Sequence, residues 1–327
     1  MKGFLKVTAV LFMVLVAATT LSAQSNYPTK AIQVIVPAGP GGDTDLNCRL
    51  MAKYLEKELG QPVVIVNVNG AGGTLGTRKV KDSAPDGYTA LFFHPSMFLN
   101  KILGLVDYNF TAFENAGIGV LDNTNIFVVN ASSPYKSITD VIAASKAKPG
   151  SIKFATETGG LTHIQALAFE SEANVKMNIV DVGSASQKIV ALLGKQVDMI
   201  GISYGIIKDY VASGRFRVVG VFADERNPAF PTVPTFKEQG VNLSFTKFFF
   251  YLFPKGTPQD IIAKFDAALA KVAANKDLQD ELAKFMVSPT YVKPADAIKY
   301  MTEQEALYNK YKDLITNAKV TKEEVKK

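Results

Sequence analysis

The chain of 327 residues is poor in the side chains that build metal sites and disulfides: one cysteine, Cys48, and two histidines, His94 and His163. A lone cysteine cannot close an internal disulfide, so Cys48 reads as a helix-packing residue. So few sulfur and imidazole ligands make no metal constellation, and neither a metal nor a cofactor is expected. No G-x-x-x-x-G-K-[ST] phosphate loop occurs. The formal net charge is +6, but no lysine/arginine stripe with interleaved aromatics exists, which argues against a nucleic-acid face. The apolar run Val7–Ala18 falls short of the roughly 20 residues needed to span a bilayer. Lys2 and Lys6 precede it and Thr19-Thr20-Leu21-Ser22-Ala23 follows. These are the three parts of a secretory signal, with cleavage expected near Ala23. No cysteine follows that cut, so an exported, soluble protein without a lipid anchor is expected.

Removing 23 of 327 residues leaves 304, enough for about two domains at ~150 residues each. A hydrophobic fraction of 47% suits packed cores. The pattern alternates. Ile32–Val36 reads as strand, Leu46, Leu50, Met51, Tyr54 and Leu55 recur at helical spacing, and Val63–Val66 and Thr89–Phe93 return as strands. This β-α-β-α-β order signals a parallel sheet with helices on both faces. The pattern restarts at Ile126–Val129, with strands at Met177–Val180, Val197–Ile202 and Arg217–Phe222 and helices between them. Phe245–Phe253 is apolar and β-prone, and from Pro258 the chain is helical. The expected fold is α/β, with two Rossmann-like lobes and a ligand cleft between them. Residues 24–126 plus 246–327 make lobe 1, the C-terminal helices packing back on it, and 127–245 make lobe 2. No coiled-coil heptads occur, so a monomer is expected.

Four loops lie at a strand exit and a helix start: Pro37–Asp45, Asn67–Gly76, Thr156–Thr162 and Asp181–Ser186. Each offers Gly, Ser or Thr where unpaired N–H groups and the helix dipole favour an anion. "GAGGTLG" (Gly70–Gly76) approaches a dinucleotide fingerprint but follows the second strand of its unit, which makes it weak. Gly201-Ile202-Ser203-Tyr204-Gly205 matches the G-x-S-x-G nucleophile elbow. In hydrolases the histidine follows the serine, whereas His94 and His163 both precede Ser203. The alternative is a small-residue turn that lines the cleft. His94 ends a strand at the edge of the first loop, as a pocket-lining residue would. His163, on the first turn of a helix, either contacts a carboxylate or is a polar surface residue. Glu157 and Asp181 are either solvated or select a ligand carrying an ammonium or hydroxyl group beside its carboxylate.

"YPTKAIQVIVPAGPGGDTD", "LGQPVVIVNVNGAGGTLG", "APDGYTALFF", "KPGSIKFAT", "LLGKQVDMI", "NPAFPTVPTFKEQG" and "FPKGTPQDIIAKFDAAL" follow one another in order. Together they resemble the periplasmic solute-binding proteins of tripartite tricarboxylate transporters, the Bug-type receptors, from Tyr27 to about Phe285. The resemblance implies a two-lobed periplasmic-binding-protein fold, type II-like, that closes on a small organic acid. That acid is often a di- or tricarboxylate, which the receptor delivers to a membrane permease. It implies that Ala38, Gly41, Gly42 and Thr44 hold one carboxylate through backbone groups and bridging waters; Asp45, in the same matched loop, reads as a helix cap rather than a direct contact, since two like charges would repel. His94 and Ser96 match the third loop of that lobe. In the second lobe Thr156, Glu157, Gly160 and Thr162 fall in a Thr/Ser-Gly loop, and Gly183, Ser184 and Ala185 match a Gly-Ser-Ala turn. Three features depart from the family pattern: Val180-Asp181-Val182-Gly183 replaces Pro-Tyr-Lys-Gly, Glu157 interrupts a usually neutral loop, and the chain has no tryptophan. All three bear on which acid is bound. Two other readings keep the same cleft: a sensor that signals its bound state, and an exported serine esterase built on Ser203.

Overall fold

The computed structural model describes residues 26–228, 230–317 and 321–322; the expected signal segment, 1–23, lies outside them. The described strands form two six-stranded sheets. The first contains β1 (Ile32–Val36), β2 (Val63–Asn67), β3 (Thr89–Phe93), β4 (Phe113–Asp122), β10 (Lys247–Pro254) and β11 (Ser288–Val292), in the order β11-β4-β10-β3-β1-β2. The second contains β5 (Asn125–Asn130), β6 (Lys153–Thr156), β7 (Asn178–Asp181), β8 (Met199–Ser203), β9 (Phe216–Val221) and β12 (Thr321–Lys322), in the order β12-β7-β6-β8-β5-β9. Helices cover the faces of both.

Local patterning explains most of these elements. In the helix Asp43–Leu59, Cys48, Met51, Ala52, Leu55 and Leu59 fall on one stripe and are buried, the geometry of an amphipathic helix on a sheet. Every residue of β10 is buried, because helices or neighbouring strands cover both of its faces. Its Phe249 stacks on Phe92 with centroids 5.2 Å apart. In the second sheet Phe127 is the hub. Its ring lies 4.7 Å from Phe154, 4.9 Å from Phe222 and 5.2 Å from Phe236.

The structure departs from the sequence pattern in three places. β1, β2 and β3 are parallel as expected, but β10 inserts antiparallel between β3 and β4, so the sheet is mixed. β4 escaped the pattern because Asn115, Gly117 and Gly119 interrupt its apolar residues, and the ladder to β10 is bulged twice. β11 carries Pro289, which only an edge strand tolerates, and β11 is the edge of its sheet. The tail also differs from the expected packing wholly on the first unit. β12 pairs in parallel with β7 of the second sheet, so the chain passes between the sheets a third time.

Phe127→Ala removes the hub ring without a replacement and is expected to cost about 3–5 kcal/mol, read as a lower denaturant midpoint.

Candidate functional site

The carboxyl ends of β1, β3, β6, β7 and β8 face one another across the gap between the sheets. β10 runs antiparallel to β3, so its first residue, Lys247, joins them. Together these ends enclose a cavity of about 70 Å³, room for on the order of five to seven water-sized bodies.

From the first sheet, Ala38, Gly42, Thr44, His94 and Ser96 line this cavity. From the second, Glu157, Gly160, Thr162, Ser184, Ala185 and Ser203 line it. Gly41, Thr156 and Gly183 do not. Gly41 (φ 76°) and Gly183 (φ 90°) turn the chain in the left-handed region. Their N–H groups are taken by Asp45 (2.9 Å) and Asp181 (2.9 Å). Thr156 lies behind the wall, its hydroxyl 2.8 Å from that of Thr162.

Two acids act as staples. Asp45 sits in the first turn of its helix, accepts from the N–H of Gly41, the residue before the N-cap Gly42, and binds Arg49 and Asn67, so it braces the loop against the helix. Asp181 accepts from the N–H groups of Thr158 (3.0 Å) and Gly183, so it ties two loops together and does not reach the cavity. His163 is neither exposed nor on the cavity wall: it is 1% exposed, and neither ring nitrogen has a hydrogen-bond partner. Burial pushes its pKa down to about 4, against Asp181.

The helix starting at Asp43 makes its first backbone bond from Leu46 N–H to Gly42 O (3.0 Å). The N–H groups of Asp43 and Thr44 therefore have no acceptor within the helix. The helix Ala185–Leu193 begins likewise with Lys188 N–H to Ser184 O (3.0 Å). The buried hydroxyl of Ser96 has no partner either. The site thus presents donors in excess of acceptors within the protein, as an anion requires.

Three charged groups on the wall were not evident from sequence: Asp43, Lys188 and Lys247. Lys247 ion-pairs with Asp43. Ser203 Oγ lies 2.6 Å from Asp122 Oδ2 and 3.1 Å from Asp43 Oδ2. Burial disfavours the Asp43 carboxylate, but Lys247, His94 and the hydrogen bonds from Lys247 and Ser203 outweigh it and hold its pKa at about 2. Burial raises the pKa of Asp122 despite Lys247 and its bonds from Ser203 and Thr124. Burial first, and Lys247 second, push the pKa of His94 well down, against the pull of Asp43. Lys188 is 6% exposed and donates to Thr162 Oγ1 (3.2 Å) and Gly201 O (2.9 Å). Burial brings it down to about 8, against the pull of Glu157. A readable signal did exist: within "ASQKIVALL" helical phase puts Lys188 on the stripe of Leu192, its buried face. Among the described residues no cluster of three or more His, Cys, Asp or Glu can hold a metal. No described helix is long and apolar enough to cross a membrane.

The profile of the tripartite tricarboxylate transporter family receptors matches residues 48–320. This chain belongs to that receptor family. It is 31% identical over 282 residues to the protein BugT of Bordetella pertussis, covering 85% of this chain and 86% of that one. Two solved structures share the fold. MatC from Rhodopseudomonas palustris with bound malate superposes with a TM-score of 0.80 at 23% identity, covering 88% of this chain and 100% of that one. Rpa4515 of the same organism with adipate gives 0.83 at 23%, covering 89% and 98%. The two-lobed architecture of periplasmic binding proteins is thereby established. Members of this family are solute receptors, not enzymes. The Ser203 hydroxyl faces the carboxylates of Asp122 and Asp43 and links the two sheets.

Two consequences are measurable. The pKa of Lys188 lies below the ordinary 10.5 in the folded protein, so the unfolded chain holds that proton more tightly and stability rises with pH from about 8 to 10.5. Lys188→Met is therefore expected to stabilise the receptor at pH 7 by up to about 3 kcal/mol, the gain fading above pH 8 in denaturant titrations. Lys247→Met leaves Asp43 buried without its cation and is expected to destabilise by about 3–5 kcal/mol.

Proposed function

We propose that the receptor binds a small organic acid, a di- or tricarboxylate or related carboxylate, in the cavity between its two lobes. It then delivers that acid to a membrane permease made of a large and a small subunit. The observation that carries this reading is the surplus of buried donors on the wall: the first-turn N–H groups of Asp43 and Thr44, the unpartnered Ser96 hydroxyl, and the Lys188 ammonium. Burying such groups is costly until an anion answers them. Malate in MatC and adipate in Rpa4515 support a carboxylate as that anion. The lobes are residues 24–126 plus 246–327 and residues 127–245, with the tail's last strand lent to the second sheet. In this reading the protein is exported to the periplasm after loss of residues 1–23 and works as a monomer.

Thermal melting of protein unfolded and refolded to strip carried-over solute, against a panel of carboxylates, tests the proposal. A ligand at 100 times its Kd stabilises by about 2.7 kcal/mol, a clear shift in midpoint. No shift with any carboxylate would sink the reading. Gly42→Asp places a second acid beside Asp43 at the cavity wall. It is expected to lower affinity for the responding acid at least roughly tenfold by calorimetry, the loss of about one charge-assisted bond.

A further inference from the structure

The charges that line the cavity do not all pair with one another. Lys247 is committed to Asp43, and Asp181 and Asp45 are spent on backbone N–H groups away from the cavity. Two groups are left. Lys188 is buried and uses two of its N–H donors on neutral oxygens, Thr162 Oγ1 and Gly201 O. Its third donor has no protein acceptor among the described residues, and no carboxylate pairs with it. Glu157 lines the same cavity from the loop after β6, and no hydrogen bond reaches its carboxylate among the described residues. The two feel each other's charge, yet no ion pair joins them. A buried cation and a half-buried anion stand on one wall without touching, and each lacks a countercharge. That is an unfavourable arrangement unless something fits between them.

We propose that Lys188 and Glu157 together read the amino-acid end of the ligand, Lys188 taking its α-carboxylate and Glu157 its α-ammonium. This rests on the reading of the cavity as a carboxylate site and narrows it to amino acids. The two groups of an amino acid are adjacent and opposite in charge, as are the two on this wall. A plain diacid would answer Lys188 but leave the Glu157 carboxylate without a countercharge. With its zwitterionic end on the second sheet, the ligand's other end points toward the donors of Asp43, Thr44 and Ser96 on the first.

Matched pairs of acids with and without the amino group decide the matter: aspartate against succinate, glutamate against glutarate, alanine against propionate. Each is titrated calorimetrically into the refolded full chain and into Glu157→Gln and Lys188→Met. In the native protein the amino member of at least one pair is expected to bind roughly ten- to a hundredfold more tightly than its partner, the value of one charge-assisted bond. Glu157→Gln is expected to erase that preference while the deaminated acid keeps its affinity. Lys188→Met is expected to weaken both members roughly ten- to a hundredfold, although the variant is the more stable protein, so unfolding would not account for the loss. Deaminated acids binding as tightly as amino acids in the native protein would overturn the amino-acid assignment and leave the carboxylate reading intact. An amino preference that survives Glu157→Gln would overturn the role of Glu157. Binding of neither kind would overturn the carboxylate reading and this inference with it.

Discussion

One hydroxyl joins the two halves of this receptor. Ser203 ends the central strand β8 of the second sheet, and its oxygen lies between Asp122, at the end of β4, and Asp43, at the head of the first helix. Two buried carboxylates so close to one oxygen would repel if both were charged. Lys247 relieves that repulsion from the Asp43 side, and burial favours a proton on Asp122. The Ser203 hydroxyl is within donating reach of both, 2.6 Å from Asp122 and 3.1 Å from Asp43. The wall of the cavity is built around this chain of groups, because Asp43, Ser203 and Lys247 are also lining residues. Holding the lobes together and shaping the site are thus one arrangement.

The same wall shows stability set against function. A lysine on the buried face of a helix costs free energy, because burial disfavours its charge and depresses its pKa. A methyl-terminated side chain there would pack better. In the proposed reading that cost is offset when a ligand supplies an anion, and the gain then belongs to the bound state alone. Serine 203 makes the complementary point. Its sequence context is that of a nucleophile, yet its neighbours are acids, and a carboxylate-bound hydroxyl between a strand and a helix is a structural clasp.

Much was legible beforehand. The parallel strands β1 to β3 follow from apolar runs of strand length separated by helical periodicity. The loops at their carboxyl ends follow from the glycines and helix starts that come next. Most of the expected site residues do meet at one cavity. Gly41 and Gly183 fall away because motif spacing does not distinguish a glycine that turns the chain from one that faces a ligand. Asp181 falls away because its carboxylate finds backbone N–H groups from two loops, one of them far off in sequence. β4 was hidden by its glycines and bulges, and β12 because so short a strand is defined only by the neighbour it pairs with.

Local pattern by itself determined the α/β class, the strand-exit loops and the family, because these depend on residues near one another along the chain. Which side chains carry charge into the cavity was decided by the tertiary structure. Lys188, Lys247, Asp43 and Glu157 come from four separate segments, and whether each charge is paired depends on distances that exist only once the strand ends of the two sheets meet across the cavity. Electrostatic energy in a buried site depends on those distances and on exclusion of water, and neither is written in the order of residues.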